Sequence, residues 1–156
     1  MPRIEAILEH LGAANVVSTL DLTRGYWQVP VAVEDQQKTA FTTPSGLYQF
    51  TTMPFGLQGA GATFQRLANN VLHGADEYAS GYMDDIGVSS MEWSAHLAHL
   101  RDVLTRLRNA GLTARPTKCR FGTTETPHLG HVVGGAFVRP SPTKTAAIEA
   151  MPHPSS

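Results

Sequence analysis

Two adjacent carboxylates, Asp84 and Asp85, sit inside the apolar, strand-like run Gly81-Tyr82-Met83-Asp84-Asp85-Ile86-Gly87-Val88. At about 4 Å and an effective dielectric near 20, two like charges repel by roughly 4 kcal/mol, so protonation, basic partners or metal ions must offset them. Successive strand residues point to opposite faces, so both acids reach one site only if Asp84-Asp85 forms the turn of a hairpin. On its own the pair is also compatible with an ordinary Asp-rich turn in a solvated hairpin. A third carboxylate is needed to choose between these readings.

Asp21 supplies it. The stretch from Asn15 to Leu22 is rich in β-branched residues and reads as a strand that ends at Asp21, broken by Thr23-Arg24-Gly25. If this strand lies beside the acidic hairpin, three carboxylates meet at one sheet edge. Hard oxygen ligands of this kind select Mg²⁺ or Mn²⁺. Two such ions about 3.5–4 Å apart activate an attacking hydroxyl and stabilise the leaving oxygen of a phosphoryl displacement. The chemistry implied is nucleotidyl transfer.

The remaining pattern alternates helices and hairpins. Residues 3–11 form an amphipathic helix stopped by Gly12; residues 26–33 read as extended, 34–38 as a helical turn, and 39–43 and 47–52 as two strands around Pro44-Ser45-Gly46. A helix follows from Ala62 to Leu72. The strongest runs from Ser94, as N-cap, to Asn109, with Leu97, Leu100, Val103, Leu104 and Leu107 as its buried stripe. Short extended pieces cover 112–115, 118–121, 129–133 and 137–138, and a last helical start spans 143–151. The fold class expected is α+β, an antiparallel sheet covered on one face by helices.

With 156 residues the chain is one domain, and no run approaches the ~18 apolar residues of a membrane span. A single cysteine, Cys119, forms no internal disulfide. With no signal-peptide pattern at the N-terminus, this points to an intracellular compartment. The net charge of −1 argues against a uniformly basic nucleic-acid surface, but its distribution is uneven. Residues 1–90 carry four Lys/Arg against nine Asp/Glu, and residues 91–156 carry eight against four. The acidic half suits cations and the basic half a phosphate backbone. His96, His99, Cys119, His128 and His131 do not make a zinc site, because structural zinc prefers two closely spaced thiolates; His96 and His99 are expected at a solvated helix edge.

Six motifs stand in order: Asp21-Leu22-Thr23-Arg24-Gly25-Tyr26-Trp27-Gln28-Val29, Lys38-Thr39-Ala40-Phe41, Met53-Pro54-Phe55-Gly56-Leu57, Ala62-Thr63-Phe64-Gln65, Tyr82-Met83-Asp84-Asp85 and Leu129-Gly130-His131-Val132. The series resembles reverse transcriptases, most closely the gypsy-type retrotransposon and retrovirus branch. That resemblance implies a polymerase palm over residues 1–139, part of the fingers around 34–52, a primer-grip hairpin around 126–138, and the start of a thumb or linker in 140–156. It implies Asp21, Asp84 and Asp85 as catalytic, metal-binding residues for two Mg²⁺ or Mn²⁺ ions. Leu22, Tyr26, Phe55 and Gly56 would bind the dNTP, with the Tyr26 ring rejecting a 2′-hydroxyl. Leu129, Gly130 and His131 would grip the primer, and Gln65, Tyr82 and Met83 would contact template or primer. Without the motif context, Tyr26 and Trp27 read as core aromatics and Gly56 as a turn glycine.

The implied activity is RNA-directed DNA polymerisation, using dNTPs and an RNA or DNA template with a DNA primer, in the cytoplasm or a virus-like particle. The implied parent polyprotein adds further fingers, a thumb, a connection and a ribonuclease H domain. Departures from the family pattern are Gln58-Gly59-Ala60-Gly61, where a Thr-Asn-Ala-Pro-like run is usual, and Gly87, which interrupts a strand at about 0.5–1 kcal/mol. Only twenty residues precede Asp21, so weak or no activity is expected of the chain alone. A catalytically inactive retroelement remnant that binds nucleic acid or protein is the alternative. A Mg²⁺ nuclease is a third reading, against which Tyr26 and Phe55-Gly56 stand.

Overall fold

The computed structural model describes residues 2–142 and 145–146. Helix α1 (Ile4–Gly12) leads into strand β1 (Val16–Asp21), a 3₁₀ turn (Gly25–Gln28), the short helix α2 (Val33–Gln36) and a second 3₁₀ turn (Gln37–Thr39). A small hairpin, β2 (Phe41–Thr43) and β3 (Gly46–Tyr48), precedes helix α3 (Ala60–Leu72), the acidic hairpin β4 (Ala79–Tyr82) and β5 (Asp85–Ser90), and helix α4 (Trp93–Asn109). A third 3₁₀ turn (Pro116–Lys118) then introduces β6 (Arg120–Thr123), β7 (Thr126–His128), β8 (His131–Gly134) and β9 (Phe137–Pro140).

The central sheet has the order β4-β5-β1-β6, with β1 antiparallel to both neighbours. Strand alternation sorts its side chains. Leu20, Ile86 and Val88 join Phe64 and Leu72 of α3 and Val103 and Leu107 of α4 in the larger core. Val17, on the other face, packs with Ile7, Leu8 and Leu11 of α1 and with Val133. Thus α3 and α4 cover one face, while α1 and the sheet β7-β8-β9 cover part of the opposite one. The end of that second face, at Asp21 and Asp85, stays open.

Gly87 explains itself here. A Cβ built on it would lie 2.6 Å from Cδ1 and 2.8 Å from Cδ2 of Leu11, so the missing side chain is the seat of α1 on the sheet. Gly12 works likewise as the last residue of α1, where a Cβ would come 2.5 Å from Cγ2 of Val138.

Several expectations need correction. Residues 26–33 are not one extended run: Arg24 and Gly25 have φ of 55° and 24°, and Gln28 ties the resulting turn to Thr113 through bonds of 2.7 and 2.9 Å to its Oε1. Helix α4 starts at Trp93 after Glu92 rather than at a capping Ser94. Its buried stripe is rotated, since Leu97 and Leu104 are 50% and 41% exposed, whereas His96 is fully buried beside Val103 and Leu107. His96 is therefore not at a solvated edge. Its ring nitrogens are bonded to Ser18 Oγ at 2.7 Å and Ser90 Oγ at 3.0 Å, which satisfies both polar atoms in the interior. The acidic hairpin turns at Met83-Asp84, one residue earlier than Asp84-Asp85, because Tyr82 pairs with Asp85 and Met83 takes the left-handed φ of 52°. The expected helix over 143–151 falls outside the described residues except at 145 and 146.

Candidate active site

The register of the central sheet builds the site. Asp21 ends β1 and Asp85 begins β5, and the two are cross-strand partners with side chains on the same open face. Asp84 occupies the turn between β4 and β5. Its carbonyl accepts a 2.8 Å hydrogen bond from the Leu22 N–H, which locks the turn to the end of β1. Its carboxylate lies over Gly25, where an added Cβ would be 3.6 Å from Asp84 Oδ2. The three acids share one electrostatic environment. Burial first, and then the charges of Asp84 and Asp21, push the Asp85 carboxyl up to about 6, while Lys118 acts against the shift.

Lys118 was missed by motif reasoning. Its Nζ donates to Asp21 Oδ2 at 3.0 Å, an ion pair between the acidic and basic halves of the chain. The charge asymmetry marks residues 91–156 as basic without pairing any of them to Asp21. The third 3₁₀ turn, which carries Lys118, is fixed to β1 by a 2.8 Å bond from the Arg115 N–H to the Asp21 carbonyl. Among the described residues, no three histidine, cysteine, aspartate or glutamate side chains converge as a ready-made metal cage.

Gln65 also has a role that the motifs did not indicate. Expected at the template or primer, it is 2% exposed, and it clamps the acidic turn from beneath. Its Oε1 accepts from the Met83 N–H at 2.9 Å and its Nε2 donates to the Gly81 carbonyl at 2.9 Å. Leu22 is likewise buried, its side chain in the α3–α4 core, so only its backbone can face a ligand. Tyr82 packs against the α1 core. Tyr26 lies between Phe55 and Phe64, at ring-centroid distances of 5.4 and 5.7 Å, and its hydroxyl donates to Met83 Sδ at 3.7 Å. Gly61 sits in the first turn of α3, where a Cβ would be 3.3 Å from both the Tyr26 hydroxyl and the Met83 methyl. Phe55 is exposed beside Gly56, whose φ of 84° requires a residue tolerant of that region.

On the opposite side, Leu129 and Gly130 form the turn between β7 and β8, with φ of 46° and 78°, and His131 Nδ1 approaches the Leu129 carbonyl at 3.2 Å. A groove of about 580 Å³ separates this turn from the carboxylates, lined by Asp21, Asp85, Lys118, Arg120, His128 and Gly130 among others. His128 is buried, and its Nε2 has no partner among the described residues. Burial alone pushes its imidazole down to about 4.

The model of the family described as reverse transcriptase (RNA-dependent DNA polymerase) matches residues 1–133. This chain belongs to the reverse transcriptase family. It is 38% identical over 99% of its length to the retrovirus-related Pol polyprotein from transposon 297 of Drosophila melanogaster, and 36% identical over 99% to that from transposon gypsy of the same organism. It spans 15% of each of these polyproteins. Among solved structures it is similar to the foamy viral protease-reverse transcriptase dRH in complex with double-stranded DNA, with a TM-score of 0.91 and 27% identity, covering 99% of this chain and 27% of that one. The foamy viral protease-reverse transcriptase in complex with an RNA/DNA hybrid gives a TM-score of 0.88 at 27% identity, covering 97% of this chain and 21% of that one. The fold is thus the α+β palm of a reverse transcriptase, and reverse transcriptases use divalent metal ions.

Proposed function

We propose that this reverse transcriptase domain extends a DNA primer on an RNA or DNA template by transferring nucleotides from dNTPs, as the palm of a larger polyprotein. The observation that carries the reading is the register pair Asp21–Asp85 with Asp84 in the adjoining turn. The donor set suits a hard divalent cation: it offers only carboxylate oxygens, burial and the charges of Asp84 and Asp21 raise the Asp85 carboxyl, and a lysine ammonium already sits on Asp21. Asp21, Asp84 and Asp85 would hold two Mg²⁺ or Mn²⁺ ions. When bound, the ions supply activation of the primer 3′-hydroxyl and charge stabilisation at the α-phosphate and the leaving pyrophosphate.

The other residues position. Gln65 and the Leu22 N–H hold the turn that carries Asp84, so the acids need little reorganisation. The Tyr26 ring, braced by Phe55 and Phe64, forms the floor under the incoming sugar and excludes a 2′-hydroxyl by bulk, while Gly56 permits close backbone approach to the nucleotide. The Leu129-Gly130-His131 turn holds the primer end across the groove from the acids. Residues 1–139 act as the palm, with part of the fingers around 34–52 and the primer grip around 126–138, and 140–156 begin a thumb or linker. Fingers, thumb, connection and ribonuclease H domains of a parent polyprotein would complete the grip on template and primer.

The test is incorporation of labelled dNMP into a primed RNA and a primed DNA template with Mg²⁺ or Mn²⁺, followed on a gel that also reports template cleavage. Extension should fall by about 10²–10³-fold in the Asp84→Asn/Asp85→Asn variant. Extension that survives both substitutions, or template cleavage in place of extension, would contradict the assignment.

A further inference from the structure

The described ion pairs include Lys38–Asp35 and Arg106–Asp102, three and four residues apart on helical turns, and the exposed pair of Arg139 in β9 with Glu125 just before β7. Lys118–Asp21 differs from all of these. It joins residues 97 apart in sequence, and its acceptor is one of the three clustered carboxylates. Asp21 is 23% exposed, whereas the lysine side chain is 54% exposed, so the carboxylate is set into the site and the ammonium reaches in from solvent.

We propose that Lys118 is a built-in counter-cation of the metal-free active site, seated on Asp21, and that a divalent ion must displace it to bind. This rests on Asp21, Asp84 and Asp85 being a divalent-cation site. The backbone around Lys118 is fixed: Pro116 sets the first φ of the turn, the Arg115 N–H holds the Asp21 carbonyl, and the Lys118 N–H bonds back to the Arg115 carbonyl at 3.0 Å. Only the flexible four-carbon stem of the lysine is free to move, which makes it a tethered cation. An ammonium and a divalent ion repel each other and require the same carboxylate charge, so they compete. The metal-free molecule keeps a neutralising partner for its acids, and each ion that binds releases the ammonium into the groove shared with Arg120 and His128.

Competition of this kind costs metal affinity in proportion to the ion pair it breaks. For a partly exposed pair, removing the lysine should tighten Mn²⁺ binding by about two- to fivefold. Calorimetric titration of the full chain with Mn²⁺ compares wild type, Lys118→Met, Lys118→Gln and Arg120→Met, after circular dichroism confirms folding. Arg120→Met removes one nearby positive charge without touching Asp21. In parallel, acetylation of Lys118 by an amine-reactive ester is read by mass spectrometry with and without Mn²⁺, using Lys38 as internal reference.

Tighter binding in both Lys118 variants but not in Arg120→Met, together with faster acetylation of Lys118 in Mn²⁺, is the expected result. Equal affinity in the Lys118 variants, an equal gain in Arg120→Met, or unchanged acetylation would overturn the proposal and leave the metal site standing. No Mn²⁺ binding by any of the four proteins would overturn the metal site itself, and the proposal with it.

Discussion

Asp21 and Asp85 stand directly opposite each other across the β1–β5 pair, so the last residue of one strand and the first of the next carry like charges on one face. A sheet usually avoids such a pairing, since like charges opposite one another are destabilising. Its stability cost is the clearest physical mark of the site.

That cost sets a pH dependence for the metal-free chain. The Asp85 carboxyl, raised to about 6 by burial and then by Asp84 and Asp21, keeps its proton in the folded state after the unfolded chain has lost it. Its contribution is therefore present below about pH 4 and lost as pH rises towards 6, by about 1–3 kcal/mol. In a chelator, Asp85→Asn should be more stable than wild type at pH 7 by about 1–2 kcal/mol and should lack this slope. Urea unfolding at several pH values measures both effects.

His128 acts in the opposite sense. Burial lowers its imidazole to about 4, so the unfolded chain takes up a proton near pH 6.5 that the folded chain refuses. Stability falls as pH drops from 6.5 towards 4, and the buried His96, lowered in the same direction, adds to the loss. His128→Phe should remove about 2 kcal/mol of the acid sensitivity at pH 5. Melting temperatures of the two proteins at pH 5 and 7 provide the check; parallel losses would remove His128 as the cause.

Gly87→Ala should destabilise the chain by about 1–3 kcal/mol, because the new methyl meets both Leu11 methyls at the α1 seat. Leu11→Ala in the same chain should cost less than it does alone. A double-mutant cycle by chemical denaturation measures the coupling, and additive losses would argue against the contact.

The buried bridge Ser18–His96–Ser90 ties β1, α4 and β5 together behind the acids. His96→Leu should cost about 2–4 kcal/mol, since both hydroxyls lose their imidazole partner and Ser90 keeps only His99, at 2.8 Å. Thermal unfolding of the variant gives the value.

What was legible in the sequence followed from local periodicity and motif order. The β-branched run ending at Asp21, the apolar stripe of α3 and the paired acids placed the palm and its carboxylates. Long-range partners stayed hidden. Hydropathy favoured Leu97 and Leu104 for the interior over His96, whose burial depends on two serines in different strands. The turn at Gly25–Gln28 depends on Thr113, 85 residues away, and the pairing of Asp21 depends on Lys118. Gly87 read as a weak point because Leu11, which fills its place, lies in another element.

The most direct measurement is Mn²⁺ binding followed by electron paramagnetic resonance in wild type, Asp21→Asn, Asp85→Asn and Asp102→Asn. Asp102, on α4, carries the same charge but pairs with Tyr78 and Arg106 and not with the acidic turn. The result expected is Mn²⁺ bound by wild type and Asp102→Asn, with affinity lost by at least about tenfold in Asp21→Asn and Asp85→Asn. Equal binding by all four proteins would contradict a metal site built on the Asp21–Asp85 register, and with it the assignment of nucleotidyl transfer to these residues.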